Sequence, residues 1–399
     1  MILYYIIYTD MVVADLIFEC IRYSIRGQEL SAETLKGVPS DMLSVLFNLS
    51  KKHDIAHIVG YALHKNNLID KTDTAYGKFV YQENLAIYRY ENINHELHAI
   101  CDLLEKEQVS HIPLKGSVIR SLYPEPWMRT SCDIDILIHE NDIDRALNVL
   151  EEQLGCSIEK RSSYDISIFT ATNVHLELHY NLAIEEQNEE IKKVLSEVWE
   201  TSALMDGYLY KREMCDEMYY YYHLAHMSKH FAGHGCGIRS FIDVWLLDNV
   251  LKADMQKRLE LARRGGLENF MLGVQAVSKV WLEKAPHSDI TQEIENFILQ
   301  SGIYGNEENW VISAQKEKGG KFRYALSRIF LSYEVLKTHY PILVKHKWLY
   351  PFCQIRRWFK LLFCGGVHRS VNELKSISAL SEDKIKKREK MMSDLGLWK

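Results

Sequence analysis

The run Asp133-Ile134-Asp135-Ile136-Leu137-Ile138 constrains this chain more than any other segment. Successive side chains of a strand point to opposite faces, so the two carboxylates share one face with each other and the isoleucines take the other. The apolar side must be buried, and carboxylates held near a core are costly unless a cation compensates them. A divalent ion does so, and Mg²⁺ favours hard oxygen ligands shared between protein and phosphate. Upstream, Leu114-Lys115-Gly116-Ser117 reads as a tight turn whose backbone N–H groups and hydroxyl can meet a phosphate. The two segments together point to a metal-and-phosphate site on a sheet.

Such a site needs a third carboxylate from a neighbouring strand. In Val174-His175-Leu176-Glu177-Leu178-His179-Tyr180, strict alternation places His175, Glu177 and His179 on one face. Asp133, Asp135 and Glu177 are therefore the expected metal ligands and catalytic residues, with Mg²⁺ or Mn²⁺ as cofactor. In a two-metal arrangement about 4 Å across, such carboxylates bridge ions that clamp the attacking and leaving oxygens. Lys115, Gly116, Ser117 and Arg129 are the expected phosphate contacts, the cations neutralising charge. The plainer alternatives are a solvated strand face for the carboxylates and surface salt bridges for Lys115 and Arg129.

Around this centre the period changes. Helical spacing covers 12–26, 32–34, 41–52, 55–65 and 76–107, with Ser31, Ser40 and Asp54 as expected caps. Strands are expected at 109–114 and 133–138, a helix at 142–154, and a hairpin at 164–180. From 190 the pattern is almost wholly helical, with 376–399 expected to fray. The fold class is α+β: a small mixed sheet at 76–189 between N-terminal (1–75) and C-terminal (190–399) helical regions.

His223, His226, His230 and His234 recur at three- and four-residue intervals and share one helix face. Packing is the first reading of this ridge, a substrate-pocket wall including His226 and His230 the second, zinc the third. His179 joins the same candidate pocket. Arg239 and Asp243, four apart, are expected to pair, with Arg239 reaching the pocket as the alternative. Lys345–Phe363 mixes aromatics with Lys and Arg; it reads as a core helix with snorkelling cations, or as a peripheral membrane contact.

With 47% hydrophobic residues and a net charge of −6, the 399-residue chain is globular and lacks the basic balance of a dedicated nucleic-acid grip. Its eight cysteines have no paired spacing, which suits a reducing cytoplasm. The apolar start lacks the basic flank of a signal peptide and is too short to span a bilayer, so translation from Met1 or Met11 is expected.

The pattern Leu114-Lys115-Gly116, Tyr123-Pro124, Arg129 and Asp133–Leu137, with Glu177-Leu178-His179 downstream, resembles a bacterial family of uncharacterised nucleotidyltransferases within the DNA polymerase beta-like superfamily. The resemblance implies a nucleotidyltransferase core, a nucleoside triphosphate donor, Mg²⁺ and release of pyrophosphate. It leaves the acceptor open, and the net acidity favours a small molecule or protein over nucleic acid. Lys115 before Gly116, where a hydrophobic residue is commoner in the superfamily, leaves room for an inactive nucleotide-binding module. A histidine-based metallohydrolase using His175, Glu177 and His179 is the more distant alternative.

Overall fold

The computed structural model describes residues 2–31, 34, 40–183, 187–251, 253–303, 305, 307–363 and 382–398. Four helices lead: α1 (Ile2–Arg26), α2 (Ser40–Lys52), α3 (Ala56–Lys65) and the long α4 (Thr74–Lys106). Asp73 caps α4 by accepting from the Ala75 N–H at 2.7 Å. Then come β1 (His111–Pro113), α5 (Gly116–Ile119), β2 (Asp133–Ile138), α6 (Ile143–Leu154), β3 (Ser157–Arg161), β4 (Asp165–Phe169) and β5 (His175–His179). Gly155 ends α6 in the left-handed region, at φ 62°, where a side chain would be strained.

The sheet has the order β1-β2-β5-β4-β3, with β2 and β5 parallel and every other pair antiparallel. Across the parallel pair the register sets Asp133 beside His175, Asp135 beside Glu177, and Leu137 beside His179. Alternation then sends Ile134, Ile136, Leu176 and Leu178 to the opposite face. There they join Ile166 and Ile168 against Leu97, Ile100 and Leu104 of α4 and Leu147 and Leu150 of α6. The central strands β2 and β5 thus turn only apolar side chains to this face, and Asp133, Asp135 and Glu177 are confined to the other.

Beyond β5 lie α7 (Glu189–Leu195), α8 (Val198–Thr201), a two-stranded β6 (Ser202–Leu204) and β7 (Arg212–Met214), then α9 (Asp216–Gly233), α10 (Ile238–Val250), α11 (Met255–Arg264), α12 (Glu268–Glu283) and α13 (Asp289–Ser301). The chain continues through α14 (Glu307–Glu317), α15 (Lys321–Ile329), α16 (Tyr333–His339), α17 (Ile342–Lys345), α18 (Tyr350–Phe363) and α19 (Glu382–Asp394). The first and last thirds share a core: Ile17 and Ile21 of α1 are buried with Phe241 of α10 and Val274 of α12. Phe18 stacks on Trp281 with ring centroids 4.8 Å apart, and Arg22 Nη1 donates to the Trp281 carbonyl at 2.6 Å.

Several expectations change. The helix expected at 32–34 falls outside the described residues except Thr34, as does 376–381; residues 382–394 do not fray but form α19, and Met391, Met392 and Leu395 are buried. Within the almost wholly helical pattern after 190, α15 and α16 are separated at Ser332, whose hydroxyl caps α16. On α4 the packed side runs through Phe79, Ile93, Leu97 and Ile100, while Tyr81 and Tyr88 face solvent. Asp54 is not a helix cap; its carboxylate faces Thr130 and Arg239. Nor is 345–363 a core helix: Trp348, Phe352 and Ile355 are exposed. Among the described residues no helix is long and apolar enough to cross a membrane.

Candidate active site

The carboxylate face of β2 and β5 opens onto a cavity of about 530 Å³ whose opposite wall is α9 and the start of α10. Asp135 is 2% exposed, and its Oδ1 accepts from Lys115 Nζ at 2.6 Å and faces His179 Nε2 at 2.8 Å. Lys115 Nζ and His179 Nε2 also approach Glu177 Oε2, at 3.7 Å and 3.4 Å. Lys115 is aimed there by its backbone: it sits at φ 44°, ψ −122°, a conformation a non-glycine residue rarely holds. Two bonds clamp that turn, from Tyr219 OH to the Lys115 carbonyl at 2.7 Å and from the Leu114 N–H to the Asp135 carbonyl at 2.9 Å. Gly116 is required for close approach, since a Cβ there would meet the Ser131 Cβ at 3.1 Å.

Compensation is uneven across this wall. Burial pushes the Asp135 carboxyl up, but Lys115 and His179 override it and hold it well below the usual carboxylate range. The hydrogen bond from His179 likewise lowers Glu177. Burial would lower His179, yet its bonds to Asp135 and Glu177 raise it. Asp133 is the exception: burial and the neighbouring Asp135 charge raise it, more than Lys115 lowers it. The sheet wall therefore retains an unmet demand for positive charge at Asp133.

A divalent ion fits that demand. Ligand atoms of Asp133, His175 and Glu177 lie within 4.8 Å of one another, as do those of Asp135, Glu177 and His179. Carboxylate oxygens dominate both sets, the donor chemistry of Mg²⁺ and Mn²⁺.

The helical wall is built from ion pairs rather than ligands. Asp243, 1% exposed within α10, accepts from Arg129 Nε at 2.8 Å and 3.0 Å and from Tyr123 OH at 2.6 Å. Arg129 is thus not a surface bridge but half of a buried pair, and it still lines the cavity. The expected Arg239–Asp243 pair is not formed. Arg239 instead donates through Nη1 to Asp54 at 2.6 Å and to the Thr130 carbonyl at 2.9 Å. These bonds tie the β2 approach to the turn before α3 and to α10.

His223, His226, His230 and His234 all line the cavity. His226 and His230 bring Nε2 atoms within 3.2 Å. Burial, with Lys115 and His230 nearby, holds His226 well below the usual imidazole range, so the ridge is neutral where it faces the cavity. Among the described residues no carboxylate or thiol joins it in a three-ligand cluster.

The structure thus gathers Lys115, Gly116, Arg129, Asp133, Asp135, Glu177, His179, His226, His230 and Arg239 around one cavity. Ser117 is set apart: it does not line the cavity, and its buried hydroxyl has no hydrogen-bond partner among the described residues. Asp54, Asp165 and Tyr222 line the cavity without having been read as site residues. Asp243 had a legible signal, a lone carboxylate inside the apolar run Phe241–Leu247. Asp54 had none.

The model of a family described as uncharacterised nucleotidyltransferase matches residues 40–283, a span that contains every residue of this cavity wall except Ile303. No curated protein and no solved structure matches the chain significantly.

Proposed function

This chain belongs to the uncharacterised nucleotidyltransferase family, and we propose that it moves a nucleoside monophosphate from a nucleoside triphosphate to an acceptor hydroxyl, releasing pyrophosphate. The observation that carries this reading is the parallel register of Asp135 with Glu177, which sets three carboxylates on one cavity face.

Asp133, Asp135 and Glu177 would hold one or two divalent ions, Mg²⁺ or Mn²⁺, which when bound polarise the α-phosphate and acidify the acceptor hydroxyl. The protein's own groups do the rest. Lys115 presents a fixed ammonium beside the carboxylates, placed to neutralise phosphate oxygens. Gly116, whose missing Cβ seats the turn against Ser131, would bring its backbone toward the phosphates. Arg239, 18% exposed at the cavity, adds a second fixed cation, and Arg129 holds Asp243 and the β2 approach in place. Glu177 accepts the acceptor's proton as its oxygen bonds to the α-phosphorus; the bond to the β-phosphate oxygen breaks, and pyrophosphate leaves. His226 and His230, neutral and facing the cavity, orient the acceptor by hydrogen bonding.

The test is label transfer from each of four α-labelled triphosphates, with Mg²⁺ or Mn²⁺, into a pool of cell-extract acceptors. Asp133→Asn and Asp135→Asn should each reduce transfer by about a thousandfold or more, since each removes charge that holds the ion. Transfer by Asp135→Asn at the wild-type rate would overturn the assignment. One observation favours a second reading, an inactive nucleotide-binding module: Lys115 Nζ bonds the carboxylate of Asp135, so a fixed cation is already paired with a residue expected to hold the ion. Nucleotide binding without pyrophosphate release, for all four bases, would select it.

A further inference from the structure

Residues 321–363 are unlike the rest of the chain in both charge and exposure. They hold nine Lys and Arg against the single acid Glu334, a net of +8 in a chain of net −6, so the remainder carries −14. Of the 21 large apolar side chains exposed among the described residues, 11 lie between Phe322 and Phe359. The segment has a small core of its own, with Leu331, Leu336, Leu343 and Cys353 buried. The exposed groups are therefore not side chains awaiting that core; they lie outside a core that is already filled.

Their arrangement is specific. On α18, Phe352, Ile355 and Phe359 fall at i, i+3 and i+7, one stripe of the helix, with Arg356 and Lys360 beside it. Trp348 extends the stripe, meeting Phe352 edge-on with ring centroids 6.2 Å apart. Ile342 and Val344, on α17 a few residues before Trp348, are 52% and 65% exposed, with Lys345 and Lys347 following in sequence. Trp348 and Phe352 are 69% and 60% exposed. Exposed aromatic and aliphatic side chains interspersed with lysine and arginine match the interface of a bilayer, where the apolar groups enter the acyl boundary and the cations meet headgroup phosphates.

We propose that 321–363 docks this protein on an anionic lipid surface through the Ile342–Val344, Trp348 and Phe352–Ile355 patch. Charge selects this occupant. A second copy packed through the same segment would set +8 against +8, which opposes face-to-face self-association, whereas an anionic leaflet complements the cations on the face. The proposal stands independently of the transfer reaction, since none of these residues lines the cavity.

Flotation of the full chain with phosphatidylcholine vesicles, with and without phosphatidylglycerol, tests it. Binding should require phosphatidylglycerol, weaken in high salt, and fall by about tenfold or more in Trp348→Ser/Phe352→Ser and in Lys345→Glu/Lys347→Glu. Both pairs replace exposed groups, and a circular-dichroism melt verifies that each variant is folded. Absence of binding to either vesicle, equal binding to both, or binding undiminished in the two variants would overturn the proposal. So would a dimer in light scattering that the Trp348→Ser/Phe352→Ser change dissolves, because the patch would then be a self-interface.

Discussion

The cavity wall and the 321–363 surface invert the usual placement of side chains in opposite ways. At the cavity, charge is inside: Asp135, Asp243 and His179 are almost wholly buried. On 321–363, apolar bulk is outside. Isolated exceptions of either kind are ordinary, but a buried charge cluster and a contiguous exposed apolar patch each call for a cause. At the cavity, nearly every charge has a fixed partner, so the cluster is a built object with a definite geometry. On 321–363 the cations outnumber the acids nine to one, so most of the complementary charge must come from outside the segment. The first region suits the small charged ligand proposed for the cavity, the second the extended anionic surface proposed for the segment.

The comparison is sharpest where one face contains both conditions. Asp133 and Asp135 are two residues apart on β2, yet Asp135 is doubly paired and Asp133 is raised by its surroundings. Removing their charges should therefore have opposite consequences for the ligand-free fold. Asp135→Asn leaves Lys115 and His179 buried beside a neutral amide and should destabilise by about 3–5 kcal/mol. Asp133→Asn removes a repulsive charge and should be neutral or slightly stabilising. Urea denaturation in chelator reads both, and equal destabilisation by the two would show that Asp135 is not compensated as described.

How much of this was legible follows from the same distinction. Alternation in Asp133–Ile138 and Val174–Tyr180 exposed the strands and the carboxylate face, because a period of two with one buried side leaves an unambiguous trace. The strand β3 left none: Ser157–Arg161 is exposed at every position, so no apolar alternation marks it. The partners of Arg129 and Arg239 were hidden for another reason. Asp243 and Asp54 lie 114 and 185 residues away from them, and sequence spacing carries no information at that range. The helix-spacing rule supplied a nearer partner for Arg239, and burial of Asp243 against Tyr123 and Arg129 overrode it. In 345–363 the residue types admitted either a core helix or an interface; only the exposure of Trp348 and Phe352 separated them.

Buried histidines give a smaller effect that distinguishes inside from outside by pH. His53 is fully buried, and burial with Lys52 nearby lowers it to about 4. A base lowered in the fold is protonated first in the unfolded chain, so its contribution is complete above the ordinary value of 6.5 and is lost as pH falls toward about 4. His57, His111 and His226 are lowered in the same direction. Stability should therefore decline through this window by about 1.4 kcal/mol per pH unit for each proton taken up. His53→Leu should flatten the decline; an unchanged slope would mean that His53 is protonated within the fold.

The smallest expected effect falls on the exposed patch. A docking surface of this kind contributes to an encounter rather than to the fold, so its side chains should be nearly dispensable for folding. Phe352 is 60% exposed on α18, whereas Ile136 has no exposure beneath the carboxylate face. Truncating a buried isoleucine costs about 2–5 kcal/mol through lost transfer energy and the cavity left behind. A surface substitution away from caps and ion pairs stays within about 0.5 kcal/mol. Ile136→Ala and Phe352→Ser compared by urea denaturation should therefore differ by at least about 1.5 kcal/mol, although both remove apolar bulk. A loss at Phe352 comparable to that at Ile136 would mean that this ring is covered within the folded chain. The apolar stripe of α18 would then belong to the core, and the contrast between the two regions would fail at that residue.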